Sequence, residues 1–324
     1  MNSRFTRALL LTLVACAPAP VLAQAYPSKP VRITTPYPTG ISPDITTRVI
    51  ADKLSKYWNQ QVLVEARPGG NGFIAIGAAK KAAPDGHELL FVGNSFITIN
   101  PVLFKSVPYD PEVDFLPITT VYQGPFFFWV STQSPYRTVR DIVDAARKNP
   151  EKIAYSSPYV GSPPHIGGAM LAHMTATRML AVHSKDGPAI YTAVANGDVA
   201  FTLSSPGSAQ GMVKAGRVRA LAAASVKRNP DAPDVPTVEE AGGPAGYEVT
   251  TWTGLMAPRG TPQPIVMRIA ADTAKALAEP DVRERFKALG VIPSPSSPSE
   301  MAELMRSELR TNGDMIRKAG LTAE

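Results

Sequence analysis

Val31-Arg32-Ile33-Thr34-Thr35-Pro36-Tyr37-Pro38-Thr39-Gly40-Ile41-Ser42-Pro43-Asp44 passes from a β-branched run, through a turn of proline and glycine, to the start of an amphipathic segment. The run 31–35 predicts a strand. Residues 45–57 predict a helix, with Ile45, Val49, Ile50 and Leu54 on one face. Outward from there the alternation continues, with a strand over 62–65, a helix over 73–82 and a strand over 89–92. Pro84-Asp85-Gly86 turns the chain between the last two. A second series follows, with strands over 126–131, 153–156, 181–183, 199–203 and 219–224 and helices over 139–148, 166–175 and 189–196. Residues 231–236 and 242–247 read as linking loops, and helices over 265–278, 281–289 and 300–319 close the chain. No internal repeat at a fixed period and no low-complexity tract is visible. Strand–helix alternation predicts parallel sheets with helices on both faces. The fold class is α/β, with two doubly wound domains.

The 324 residues suffice for about two domains of the usual ~100–200 residues. A hydrophobic content of 44% excludes a disordered chain, and no apolar run reaches the ~18 residues of a membrane span. The 32 prolines, about double ordinary usage, exclude a helical bundle and favour short elements joined by stiff loops. Cys16 is the single cysteine, which excludes a disulfide framework and a cysteine-based zinc site.

Residues 1–25 have the order of a secretory signal: Arg4 and Arg7, an apolar run over 8–15, then small residues. Val21-Leu22-Ala23 and Ala23-Gln24-Ala25 each place small residues before a cut. Leu13-Val14-Ala15-Cys16 offers a competing lipoprotein box, but it leaves a short apolar region. The expected location is the periplasm. Without Arg4 and Arg7 the formal charge falls from +6 to +4. No basic block or basic–aromatic interleaving remains, so nucleic acid is not an expected partner.

In doubly wound sheets ligands bind outside the carboxyl ends of strands, so the strand–loop–helix junctions are where a site is sought. In the first, Thr39 and Gly40 let backbone amides approach a ligand, and a helix N-terminus favours an anion. Asp44 stands where an N-cap belongs, and a plain capped turn explains the same residues. It is neither a P-loop nor a dinucleotide fingerprint. The second junction is Tyr155-Ser156-Ser157-Pro158-Tyr159-Val160-Gly161-Ser162-Pro163-Pro164-His165. Its hydroxyls and amides can hold a carboxylate without a buried cation, while Ser162 can equally be only a helix cap.

Catalytic machinery is sparse. There is no Gly-x-Ser-x-Gly elbow, and His87, His165, His173 and His183 form no zinc-type pairing. Asp110 and Asp114 lie in a proline-rich stretch that reads as a solvated loop. Trp252 and Phe126-Phe127-Phe128-Trp129 read as core. No metal and no cofactor is expected.

Several short motifs occur in order: Tyr26-Pro27-Ser28-Lys29-Pro30-Val31-Arg32, Glu65-Ala66-Arg67-Pro68-Gly69-Gly70-Asn71-Gly72 and Ala83-Pro84-Asp85-Gly86-His87-Glu88. Ile99-Asn100-Pro101-Val102-Leu103, Pro108-Tyr109-Asp110-Pro111, Asp234-Val235-Pro236-Thr237, Trp252-Thr253-Gly254 and Ala257-Pro258-Arg259-Gly260-Thr261-Pro262 follow. In these the chain resembles the periplasmic solute-binding proteins of tripartite tricarboxylate transporters, the Bug family. The resemblance runs from Tyr26 nearly to the C-terminus.

The resemblance implies a type II periplasmic-binding-protein architecture, with two domains joined by crossing strands and closing on a ligand. Its boundaries would be a signal peptide over 1–25, a discontinuous first domain over 26–125 and 249–324, and a second domain over 126–248. The implied function is a monomeric, non-enzymatic receptor for a small di-, tri- or aromatic carboxylate, delivering it to membrane permease subunits. The implied ligand-binding set is Tyr37, Thr39, Gly40, Ile41, Asp44, Ser95, Ser157, Tyr159, Gly161, Ser162 and His183, with Gly93-Asn94-Ser95 as cleft floor. Departures concern the ligand: Ile41 replaces a usual Gly, Tyr159 another, His183 a common Tyr and Ala200 an Asp. Ile41 and Tyr159 add bulk where the carboxylate should sit, which implies a more apolar cleft, friendly to aromatic groups, or an altered binding mode. Two alternatives stand beside the receptor: an exported hydrolase or isomerase using His183 or His165, and a receptor subunit of a membrane sensor.

Overall fold

The computed structural model describes residues 26–184 and 187–318; the segment expected to be an export signal, with its expected cleavage sites and Cys16, lies outside the described residues. Among the described residues no helix is long and apolar enough to cross a membrane.

In chain order the first unit comprises β1 (Val31–Thr35), α1 (Ser42–Trp58), β2 (Val62–Ala66), α2 (Phe73–Lys80), β3 (Glu88–Gly93), a π-helical turn over Ser95–Ile99, α3 (Asn100–Leu103) and β4 (Phe115–Pro125). Next come β5 (Phe127–Ser131), α4 (Val139–Lys148), β6 (Ala154–Ser157), α5 (Pro163–Met174), β7 (Leu180–His183), α6 (Gly187–Asn196), β8 (Phe201–Ser204), α7 (Pro206–Lys214) and β9 (Val218–Ala223). The chain then returns through β10 (Thr250–Pro258), α8 (Gln263–Ala278), α9 (Pro280–Ala288), β11 (Ile292–Pro293) and α10 (Pro298–Lys318).

Two sheets result, ordered β11-β4-β10-β3-β1-β2 and β7-β6-β8-β5-β9. The expectation of wholly parallel sheets needs correcting. β10 runs antiparallel to both β3 and β4, and β5 runs antiparallel to both β8 and β9. Each of these strands enters its sheet just after the chain has crossed from the other unit, so it arrives from the opposite end. The two sheets therefore share one order around their antiparallel strand: β2-β1-β3-β10-β4 and β7-β6-β8-β5-β9. This is a duplication of shape that no sequence period reveals. At the crossover the two linking segments bond to each other: Phe126 N–H donates to the Val249 carbonyl and Val249 N–H to that of Ala224.

β5 explains the aromatic run. Phe126, Phe128 and Val130 enter one buried cluster while Phe127 and Trp129 enter another, because successive strand residues point to opposite faces. With both faces covered, such a strand reads as a continuous apolar run instead of alternating. α1 begins at Ser42, earlier than predicted, because Pro43 in its first turn removes only an amide that would lack an intrahelical partner. α4 starts on a capping box in which Thr138 and Asp141 satisfy each other's backbone amides. The sequence reading missed β4, β10, α3 and α7. Pro117, Gly124 and Gly254 interrupt the two strands, and Pro101, Gly207 and Gly211 disguise the two helices.

Candidate functional site

The carboxyl ends of β1, β6 and β8 converge between the units. Their loops supply Tyr37 and Ile41, Pro158 and Tyr159, and Ser204, Ser205 and Ser208 to a chamber of about 90 Å³. Tyr122, Phe126 and Thr251 of the crossing segments and Tyr191 of α6 complete much of its wall. Among the described residues no Lys, Arg, His, Asp or Glu lines it. The surface is aromatic and aliphatic, with hydroxyls at the start of α7.

Those hydroxyls also bridge the units. Ser42 Oγ on α1 lies 2.9 Å from Ser205 Oγ and 3.1 Å from Ser208 Oγ, and the last two are 3.1 Å apart. Gly207 N–H donates across the same interface to the Leu289 carbonyl at 2.9 Å. A Cβ on Gly207 would collide with the Leu289 backbone. α7 therefore docks with its backbone against the end of α9. On the far side Ile99, Leu103 and Ile316 of one unit close on Ile166 of the other.

A second cavity of about 210 Å³ lies between the loop over residues 69–72, Phe96, Val160 and His183. Pro38, Pro158 and Tyr159 line both cavities. The Tyr159 ring reaches from the β6–α5 loop into the first unit, stacking on Phe96 at 5.1 Å between centroids, with its hydroxyl 3.2 Å from Ser95 Oγ. Burial pushes this phenol's pKa well up, so it remains a neutral donor or acceptor.

The predicted site residues divide sharply. Tyr37, Ile41 and Tyr159 line the inner chamber, and His183 joins Tyr159 on the outer cavity. Thr39, Gly40, Asp44, Ser95, Ser157, Gly161 and Ser162 line neither. Asp44 is not the N-cap. It sits inside the first turn of α1, where its carboxylate accepts the Gly40 N–H at 3.0 Å and pairs with Arg48 at 2.9 Å. Gly161 takes φ +83°, donates its N–H to His165 Nδ1 at 3.1 Å, and approaches Asn100 so closely that a Cβ would stand 2.8 Å from Oδ1. Its freedom serves packing between units. Ser162 caps α5 by accepting the His165 N–H at 3.3 Å and donates to the Tyr159 carbonyl at 2.7 Å. The amides of Gly40 and Gly161, expected to hold a carboxylate, thus already have acceptors within the chain. Ser95 is buried under Tyr159 and does not form the floor of either cavity.

Ser204, Ser205 and Ser208 were missed although their signal was legible. Ser204-Ser205-Pro206-Gly207-Ser208 follows a strand with the same serine, proline and glycine punctuation as the other two junctions. Tyr122 and Thr251 lie on β4 and β10, strands whose proline and glycine hide them in the sequence.

Ser157 Oγ and His183 Nδ1 stand 2.7 Å apart, the spacing of a nucleophile and its base. Ser157 is nevertheless wholly buried and faces neither cavity. Burial, and secondarily His183, lowers the pKa of His165 to about 4, and burial lowers that of His183 as well. Among the described residues no group of three or more His, Cys, Asp or Glu could hold a metal ion.

A profile of the tripartite tricarboxylate transporter family receptor matches residues 46–321. The chain belongs to this receptor family. Among relatives, a protein encoded in the tcbD–tcbE intergenic region of a Pseudomonas species is 36% identical, covering 88% of this chain and 84% of that one. BugT of Bordetella pertussis is 28% identical, with 93% of each chain covered. Among solved structures, Rpa4515 of R. palustris with adipate superposes with a TM-score of 0.87 at 28% identity, covering 92% of this chain and 99% of that one. MatC of Rhodopseudomonas palustris with bound malate gives a TM-score of 0.84 at 28% identity, covering 90% of this chain and all of the other (100%). The periplasmic binding protein BugD gives 0.84 at 27% identity, with 92% and 100% covered. The two-unit architecture of this receptor family member is thus that of the periplasmic binding proteins.

Proposed function

We propose that this chain is an extracytoplasmic receptor that captures a small carboxylate between its two units and passes it, chemically unchanged, to membrane permease subunits. The observation that carries the reading is the chamber at the carboxyl ends of β1, β6 and β8, walled by both units and supplied with the hydroxyls of Ser204, Ser205 and Ser208. Hydroxyl donors suit a carboxylate, and a bound anion can replace the contacts that the serines make with one another. The adipate and malate bound by two similar structures support the same ligand class. In this reading residues 1–25 are an export signal, the protein works in the periplasm as a monomer, and no cofactor takes part. The units are 26–125 with 249–324, and 126–248, hinged where the crossing segments meet.

Tyr37, Ile41, Tyr159 and the three serines are the proposed ligand contacts. Gly40, Asp44, Ser95, Gly161 and Ser162 shape and hold the loops behind them, and His183 faces the outer cavity.

The test is a thermal-shift panel of mono-, di-, tri- and aromatic carboxylates on the exported chain. A true ligand at a hundredfold excess over Kd stabilises the folded state by roughly 2.7 kcal/mol. Stabilisation by sugars, amines or metal ions, with none from any carboxylate, contradicts the reading. The 2.7 Å contact of Ser157 with His183 favours one second reading, an exported hydrolase or isomerase. Turnover that disappears in His183→Ala supports that enzyme, whereas ligand recovered intact after prolonged incubation rejects it.

A further inference from the structure

Tyr159 is the one described side chain that both lines the two cavities and crosses from one unit to the other. Its neighbours on the shared wall, Pro38 and Pro158, are short and stiff, so the phenol is the longest side chain shared by the two cavities. The ring is held on two sides: by stacking on Phe96 and by the hydroxyl contact with Ser95. Behind it, the Tyr159 carbonyl accepts from both the hydroxyl and the amide of Ser162, which fixes the backbone that carries the ring. A side chain clamped at its tip, its face and its base is a wall more than a swinging gate.

On the inner side of this wall the surface is mostly apolar, with Tyr37, Tyr122, Phe126 and Leu203 lining it together with the serine hydroxyls. A ligand there has its polar end at one pole and must offer apolar surface elsewhere, because an ionised group against aromatic walls loses its hydration without replacement. The outer cavity, with the loop over residues 69–72 and His183, is where the far end of a longer molecule would extend if the wall were absent.

We propose that Tyr159 is a specificity-determining partition: it confines the ligand to the inner chamber and selects carboxylates with one anionic end and a compact ring-like body over extended dicarboxylates. This rests on the receptor reading above. In Tyr159→Gly the two cavities join into one trough, and the preference shifts toward the longer dianion. In Tyr159→Phe the wall remains and only the Ser95 contact is lost.

The experiment is calorimetric titration of the wild-type chain, Tyr159→Gly and Tyr159→Phe with benzoate and with adipate, each variant first shown to unfold cooperatively. The expected result is at least tenfold tighter binding of benzoate than adipate by the wild type and by Tyr159→Phe. Tyr159→Gly should reverse that order or close the gap by at least tenfold. A wild-type preference for adipate, or an unchanged ratio in Tyr159→Gly, overturns the partition and leaves the receptor reading intact. If neither probe nor any member of the wider carboxylate panel binds the wild type, the receptor reading fails and the partition falls with it.

Discussion

His165 ties a single proton to the shape of the β6–α5 loop. Its Nδ1 accepts the Gly161 N–H, so protonation there turns an acceptor into a second donor and breaks the bond. Its pKa is lowered from 6.5 to about 4 by burial first and by His183 second. The unfolded chain takes up this proton near pH 6.5 and the folded chain resists until about pH 4. The stabilisation is therefore complete above pH 6.5 and lost as pH falls through that window. At ~1.4 kcal/mol per pH unit the loss is on the order of 3 kcal/mol. Denaturant unfolding from pH 7 to 4.5 should show a steeper fall for the wild type than for His165→Asn, whose amide oxygen can still accept from Gly161. Equal slopes would contradict the assignment. His165 lies in the first turn of α5, and its ring holds the Gly161 amide of the loop before it. Individual contacts were harder to read, since whether an amide faces a ligand or another loop depends on the approach of a second unit. Gly161 shows this: its glycine was legible, while its reason, the closeness of Asn100, was not.

At the scale of an element, α7 offers paired substitutions with opposite signs. Gly207 meets the Leu289 backbone across the interface, whereas Gly211, on the same helix, has nothing within 4 Å of where a Cβ would stand. Gly211→Ala should raise stability by roughly 0.5–1 kcal/mol, because alanine costs less backbone entropy in a helix. Gly207→Ala should force α7 away from α9 and strain the closed arrangement by about 1–3 kcal/mol, the usual cost of overpacking. Ligand affinity should then fall about tenfold or more, while helix content by circular dichroism stays unchanged. A Gly207→Ala chain that binds as tightly as wild type would mean that this contact plays no part in the binding-competent state. Elements with clear periodicity, such as α1 and α4, were legible because local hydrophobic pattern and burial agree. β4 and β10 were not, because strands that carry the chain between units bend, and their proline and glycine look like loop signals.

For the whole molecule, the alternation of strands and helices was enough to predict two α/β units. It could not show that the strand entering each sheet from a crossover, β5 in one and β10 in the other, runs antiparallel to its neighbours, because a crossover leaves no local mark. The stiff proline junctions have a physical place, with Pro38 and Pro158 on the shared wall and Pro43, Pro163 and Pro164 on the inner chamber. The serine triangle, the Gly207–Leu289 bond and the Ile99–Ile166 cluster hold the units together around that chamber. A cleft-filling change belongs on its wall, at Ser208, and not at Ser162, whose hydroxyl is committed to capping α5. Calorimetric titration of the wild-type chain and Ser208→Trp with the carboxylate that stabilises it most, followed by recovery of the ligand, tests the central claim most directly. The account predicts saturable binding of one ligand per chain, a negative heat-capacity change from burial of apolar surface, intact ligand on recovery, and no binding by a folded Ser208→Trp. Undiminished binding by Ser208→Trp, or a ligand returned chemically altered, would contradict it.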